Sequence, residues 1–223
     1  MKRLVPLALA LALAACADAP EPAVAEQAQA PAETAGASAE APTPGALAPA
    51  FTLVDTDGAE VSLADYRGRT VVLEWLNYDC PYVGKHYGGG AMPALQGEAT
   101  ADGAVWLSVV SSAPGEQGHF EPAAMNERTA AEGGRQSAVL LDPTGRVGRA
   151  YGAKTTPHMF VIDGDGRVVY NGAIDDRPTA DVADLDGARR YVAGALAAVG
   201  DGRPADPATT PPYGCSVKYG DDA

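Results

Sequence analysis

The sequence predicts an α/β domain built on a central mixed β-sheet flanked by helices, with an N-terminal β-hairpin extension. Three observations predict it. An apolar, β-rich run at 70–76 reads as a strand covered on both faces, and 105–110 reads as another strand. The first of these passes abruptly into a helix at Asp79-Cys80-Pro81, and a late pair of strands closes on Gly164-Asp165-Gly166 before an apolar helix.

Taken in order, the elements follow from local chemistry. Residues 50–55 form a short strand, Thr56-Asp57-Gly58 supplies a turn, and Val61-Ser62-Leu63 makes a second strand entering a short helix. After the strand at 70–76, Pro81 suits a first helical turn, where its missing N–H costs nothing, so a helix is expected near 82–95. Gly88-Gly89-Gly90 breaks that helix; lying away from any strand-to-helix junction, it is no phosphate loop. Further strands are expected at 105–110 and 138–141, a hairpin at 159–163 and 167–170, and a final amphipathic helix at 185–199.

Residues 44–199 have a globular composition and a length suited to one domain. A chain of that size buries ~70% of the surface it exposes when unfolded, so its three cysteines are not needed as a structural framework. Residues 200–223 read as an irregular tail, rich in Gly, Pro and Thr, that carries Cys215. A formal net charge of −13, without a Lys/Arg cluster beyond Lys2-Arg3, repels polyphosphate and argues against nucleic acid as a partner. His86, His119 and His158 are scattered without metal-ligand spacing, so neither a metal nor another cofactor is expected.

The first fifteen residues are a targeting segment. Lys2 and Arg3 precede an apolar run, 4–15, too short to span a ~30 Å hydrocarbon core but suited to a signal peptide. The run ends in Leu13-Ala14-Ala15-Cys16, which resembles the bacterial lipobox. That resemblance implies lipidation at Cys16, export, and a lipid anchor on the cell envelope, periplasm-facing in a bacterium with an outer membrane. The competing reading is an ordinary cleavage site with an incidental cysteine. Residues 16–43 are rich in Ala, Pro and Glu and hold no Leu, Ile or aromatic side chain, so they read as a disordered tether.

Cys80 falls where a strand gives way to a helix N-terminus, whose free N–H groups and dipole favour a thiolate, the reactive form of cysteine. Cys80 together with Thr155-Thr156-Pro157 ahead of a hairpin resembles the thioredoxin-fold nucleophile and its cis-proline. More closely, three stretches resemble the peroxiredoxin-like redoxins of the alkyl hydroperoxide reductase and thiol-specific antioxidant superfamily. They are Leu73-Glu74-Trp75-Leu76-Asn77-Tyr78-Asp79-Cys80-Pro81-Tyr82-Val83, Tyr151-Gly152-Ala153-Lys154-Thr155-Thr156-Pro157-His158-Met159, and Gly214-Cys215-Ser216-Val217-Lys218-Tyr219.

The resemblance implies a thioredoxin-like fold and a thiol oxidoreductase with Cys80 as nucleophile. Its substrate would be a peroxide or a protein disulfide or thiol, and an unidentified thiol would be the reductant. It also implies backbone contact with substrate at Thr156 and Pro157, and a proton-accepting role for Glu74, six positions before Cys80 on the strand. Two departures stand out. Val83 occupies the place of a thioredoxin's second cysteine, and Asn77 and Pro157 stand where a peroxiredoxin carries Thr and Arg. Asn77 can still donate a hydrogen bond to an oxygen, and Lys85 is the nearest cation in sequence. With the local disulfide closed off, Cys215, 135 positions on, is a candidate resolving thiol; a free thiol or an intermolecular partner are the other readings. His86 and His158 read as packing residues that could also attend the site. A binding or assembly lipoprotein that kept the fold and lost turnover is the alternative function.

Overall fold

The computed structural model describes residues 41–220. The signal segment 1–15, Cys16 and the tether up to residue 40 lie outside the described residues. Residues 41–43, assigned to the tether from sequence, belong with the domain: Pro42 is buried, and its carbonyl accepts a hydrogen bond from Asn171 at 3.2 Å.

In chain order the elements are β1 (Thr52–Asp55), β2 (Glu60–Ser62), β3 (Val71–Trp75), α1 (Pro81–Gly88), α2 (Ala91–Ala101), β4 (Val105–Val110) and α3 (Pro122–Ala131). They continue with β5 (Ala138–Leu141), α4 (Arg146–Ala150), β6 (Thr155–Thr156), β7 (His158–Ile162), β8 (Val168–Gly172), α5 (Tyr191–Gly200) and β9 (Cys215–Ser216). Seven strands make one mixed sheet in the order β2-β1-β5-β4-β3-β7-β8, and β6 pairs with β9 in a separate two-stranded ribbon. Strands β3, β4 and β5 run parallel, whereas β7 lies antiparallel to β3.

All five residues of β3 and all six of β4 are buried, because helices cover both faces of the sheet. Strand alternation sorts their side chains into two cores. Val72, Leu76, Trp106, Val110, Met159 and Tyr170 pack with Cys80, Val83, Met92, Leu95 and Val192 on one face, and Val71, Leu73, Trp75, Leu107 and Phe160 pack with Val147 and Tyr151 on the other. Position 74 falls between Val72 and Leu76, so Glu74 points to the face that holds Cys80.

The expected helix at 82–95 is two helices separated at Gly89 and Gly90, where Gly90 adopts φ +71° and a Cβ on Gly89 would stand 2.3 Å from Leu185 Cδ1. The final helix begins at Tyr191 rather than 185. Residues 182–185 form one 3-10 turn, Gly187 takes φ +68°, and the chain is then held extended by Arg189 N–H on Asp176 Oδ1 and Tyr191 N–H on the Ile174 carbonyl. Helices α3 and α4 escape the periodicity because they are short and half-exposed. Asp142 ties down the start of α4, accepting from the N–H groups of Val147 and Gly148.

The tail expected to be irregular is short of regular structure but docked through its described residues. Thr210 N–H donates to the Asn171 carbonyl, β9 pairs with β6, Val217 N–H donates to the Lys154 carbonyl, and Tyr219 donates to the Ala153 carbonyl. A proline-rich strand cannot satisfy its backbone within a helix, and here it does so against edges the domain leaves open.

Candidate active site

Cys80 is the N-cap of α1, with φ −82° and ψ 123°, and Pro81 is the first helical residue. Its amide donates to the Asn77 carbonyl at 3.0 Å and its own carbonyl accepts from Gly84 at 2.9 Å. The sulfur is buried, with the residue 1% exposed. Sγ lies 3.1 Å from the Thr156 carbonyl oxygen and receives the Cys215 N–H at 3.4 Å. Burial alone would push the thiol up. Hydrogen bonding from the Cys215 side chain, from Thr156, and from the backbone of Val83 and Cys215 outweighs it and holds Cys80 below the ordinary thiol value of 9.0. Cys215 moves the opposite way, raised by burial first and then by its hydrogen bond and charge interaction with Cys80, with Lys218 opposing. Of the two thiols, Cys80 therefore ionises at the lower pH.

The Thr156–Pro157 peptide is cis. The ribbon brings Thr156 opposite Cys215 and Thr155 opposite Ser216, so the chain's own tail occupies the backbone edge expected to receive substrate. A Cβ on Gly214 would stand 2.1 Å from the Thr156 carbonyl oxygen, which requires glycine there for the strand to approach. The Thr156 hydroxyl is buried and meets no aligned hydrogen-bond partner, so it is free to turn toward a thiolate at Cys80.

Glu74 is completely buried in the central sheet. Its Oε2 accepts from Trp106 Nε1 at 2.8 Å, Ser108 Oγ at 2.9 Å and Gln96 Nε2 at 3.1 Å, and its Oε1 accepts from Tyr87 at 3.0 Å. Burial raises the carboxyl above 4.5, and these four neutral donors pull it back only in part. Cys80 shares its face of the sheet but is not among its hydrogen-bond partners. Asn77 is equally committed elsewhere: Oδ1 accepts from Asp79 N–H at 2.9 Å and Nδ2 donates to the Gln117 carbonyl at 3.3 Å, tying the loop before Cys80 to the loop after β4.

The remaining polar candidates are brought to other places. His158 is held between Asn171 Oδ1 at 2.9 Å and the Lys154 N–H at 3.3 Å, and burial lowers it to about 4, so it is neutral. Lys85 enters a buried cluster, with Asp175 at 3.7 Å and the Arg177 carbonyl at 2.7 Å. A guanidinium that sequence spacing does not single out, Arg128 of α3, reaches the loop before Cys80, with Nη1 3.4 Å from Asp79 and Nη2 donating to the Tyr78 carbonyl at 3.2 Å. The donors around Glu74 were equally hidden, since Tyr87, Gln96, Trp106 and Ser108 come from three different elements.

A family profile described as Redoxin matches residues 43–188. A Mycobacterium tuberculosis protein named "Putative peroxiredoxin" is 32% identical over 144 residues, covering 57% of this chain and 82% of that protein. The thiol-disulfide oxidoreductase ResA of Geobacillus thermodenitrificans is 30% identical over 131 residues, covering 56% of this chain and 66% of the relative. Among solved structures, an uncharacterized conserved protein from Geobacillus kaustophilus superposes with a TM-score of 0.68 at 27% identity, covering 81% of this chain and 94% of that one.

Proposed function

The chain belongs to the Redoxin family of thiol oxidoreductases and has a thioredoxin-like fold, and from that premise we propose that Cys80 is its nucleophile, Cys215 its resolving thiol and a small hydroperoxide its oxidant. The observation that carries this reading is the Cys80–Cys215 pair: a thiolate-favouring sulfur touched by the backbone and side chain of a protonated thiol.

The chemistry runs in two steps. The Cys80 thiolate attacks the distal oxygen of the hydroperoxide, the S–O bond forms as the O–O bond breaks, and the leaving oxygen takes a proton to become an alcohol or water. Sulfur is oxidised by two electrons to the sulfenic acid. The Cys215 thiol then attacks that sulfur; the S–S bond forms, the S–O bond breaks, and the Cys215 proton leaves with the hydroxyl as water. A thiol reductant restores both cysteines by exchange. Thr156, through its carbonyl and its unpartnered hydroxyl, and Pro157 border the sulfur. Glu74 serves as a proton store on the same face of the sheet, and Asn77 holds the loop in shape.

Thiol-disulfide exchange with a protein is a second reading, favoured by the strand-like edge at Thr155–Thr156. It requires the tail to leave, because β9 occupies that edge and Cys80 is 1% exposed. A hydroperoxide, far smaller than a strand, needs only the sulfur uncovered and not the whole edge. Loss of turnover, as in a binding lipoprotein, has little support beside a sulfur environment that stabilises the thiolate. Export and anchoring through Cys16 belong to the same proposal, supported by Lys2-Arg3, the apolar run and Leu13-Ala14-Ala15-Cys16. Acyl chains contributing ~0.8 kcal/mol per buried CH₂ would hold the domain on a membrane leaflet. A Cys16→Ala chain should lose labelled fatty acid and detergent-phase partitioning.

The test of the chemistry is a time course of hydroperoxide reduction by the detergent-solubilised full chain beside Cys80→Ser and Cys215→Ser, with mass-spectrometric mapping of sulfur states. Turnover should require Cys80 and pass through a Cys80–Cys215 disulfide. Inert Cys80, or turnover without that disulfide in the unaltered chain, refutes the assignment.

A further inference from the structure

Two residues before Cys215, Tyr213 enters a buried polar cluster that the mechanism above does not use. Lys85 and His86, each 1% exposed, stand consecutively on α1, the helix that begins at Cys80, and Asp175, 4% exposed, follows β8. Asp175 Oδ1 accepts the Tyr213 hydroxyl and the Arg177 N–H, the latter at 2.8 Å, while its Oδ2 lies 3.7 Å from Lys85 Nζ. His86 Nε2 lies 3.1 Å from the Tyr213 oxygen. A phenol has one hydrogen, and here it goes to the carboxylate, so His86 is the donor in its contact and carries its proton on Nε2. The ring is also enclosed, with Lys85 Nζ 5.7 Å from its centroid and Tyr82 edge-on at 5.9 Å.

The cluster is joined to both sulfurs by short arms. On one side a helix runs from Lys85 and His86 back to Cys80; on the other, Gly214 alone separates Tyr213 from Cys215. We propose that Tyr213, through its bonds to Asp175 and His86, is a positioning residue for the resolving step, holding Cys215 against Cys80 so that the sulfenic acid condenses before a second hydroperoxide arrives. This rests on the assignment of Cys80 and Cys215 as nucleophile and resolver.

The two fates of the sulfenic acid compete. Condensation is intramolecular and gives the disulfide and water. Over-oxidation is bimolecular: a second hydroperoxide transfers its distal oxygen to the Cys80 sulfur, its O–O bond breaks, and sulfinic acid and an alcohol or water result. Freeing the Cys215 strand slows only the first of these, by roughly the factor of ten that separates a held from a loosened partner when one charge-assisted hydrogen bond is lost. The hydroperoxide concentration giving half sulfinic acid should fall by the same roughly tenfold factor.

The experiment compares the full chain with Tyr213→Phe by rapid quench and mass spectrometry across a hydroperoxide series. Expected are a first oxidation at Cys80 slowed much less than the condensation, since Cys215 supplies only part of the hydrogen bonding to the sulfur, a sulfinic threshold lowered about tenfold, and no further effect of Tyr213→Phe on that threshold when Cys215→Ser is already present. Asp175→Asn, which keeps the shape and weakens the same bond, should move the threshold in the same direction, and it serves alone if Tyr213→Phe does not fold. An unmoved threshold, an equal slowing of the first oxidation, or an undiminished effect in the Cys215→Ser background overturns the proposal. Absence of a Cys80–Cys215 disulfide in the unaltered chain would instead remove the assignment beneath it.

Discussion

Replacing Glu74 with glutamine keeps the shape of a side chain that β3 buries completely and removes its charge. The carboxyl has four neutral donors and no cation among its hydrogen-bond partners, and burial raises it above its ordinary 4.5. In the unfolded chain the proton leaves near 4.5; in the folded chain it is held to higher pH. Between those two values the unfolded state binds fewer protons, so stability falls as pH rises, by ~1.4 kcal/mol per pH unit. Below 4.5 both states are protonated and the penalty vanishes. Glutamine does not titrate, and the other buried groups are common to both chains and cancel. For a domain of this size 1 kcal/mol moves Tm by about 2–4 °C. The Tm of Glu74→Gln minus that of the unaltered chain should therefore climb by roughly 3–5 °C per pH unit from about pH 4.5, then level off once the folded carboxyl ionises. Calorimetric scans at half-unit steps from pH 3.5 to 8 measure it. Two Tm curves that run parallel across that range would refute the reasoning.

Three further substitutions probe the site. Gly214→Ala places a Cβ 2.1 Å from the Thr156 carbonyl oxygen at a residue with φ +141°, so β9 should lift from β6 at a cost of about 1–3 kcal/mol, and disulfide formation followed by quenched mass spectrometry should slow roughly tenfold or more. Undiminished disulfide formation would show that β6 pairing does not deliver Cys215. Thr156→Val deletes a buried hydroxyl without a partner, so thermal stability should hold or rise by about 1 kcal/mol while the Cys80 thiolate, titrated by its ultraviolet absorbance, forms at higher pH. A loss of stability with an unmoved titration would contradict that account. Gly118→Ala drives a Cβ to 2.3 Å from Asn77 Oδ1 at φ +86°, and should cost about 2–3 kcal/mol in denaturant unfolding by breaking the tie between the two loops.

Much of the sheet was legible because its signals are local. Strands β3 and β4 announce themselves as apolar runs, β7 and β8 by the Gly164-Asp165-Gly166 turn between them, and Cys80-Pro81 marks the strand-to-helix junction by proline's fixed φ and missing donor. Helix ends were less legible. The final helix starts six residues later than its apolar pattern suggests, because backbone hydrogen bonds to Ile174 and Asp176 hold 189–191 extended. Glu74 looked like a candidate acid from its spacing to Cys80, yet nothing local indicates that Trp106, Ser108, Gln96 and Tyr87 would converge on it.

Residue type, short-range periodicity and motifs a few residues long suffice for the fold class, for placing Cys80 at a helix start, and for the inventory of thiols. Which groups meet is settled by packing. Cys215 could have been a free thiol, a partner for another molecule or a resolver; its contact with Cys80 depends on a tail that docks through Gly214 against Thr156 and through Tyr213 against Asp175 and His86. Lys85, the nearest cation in sequence to Cys80, was drawn to Asp175 instead. Such choices come from burial, since a charged or polar group removed from water goes to whichever partner the packed chain supplies, however distant in sequence.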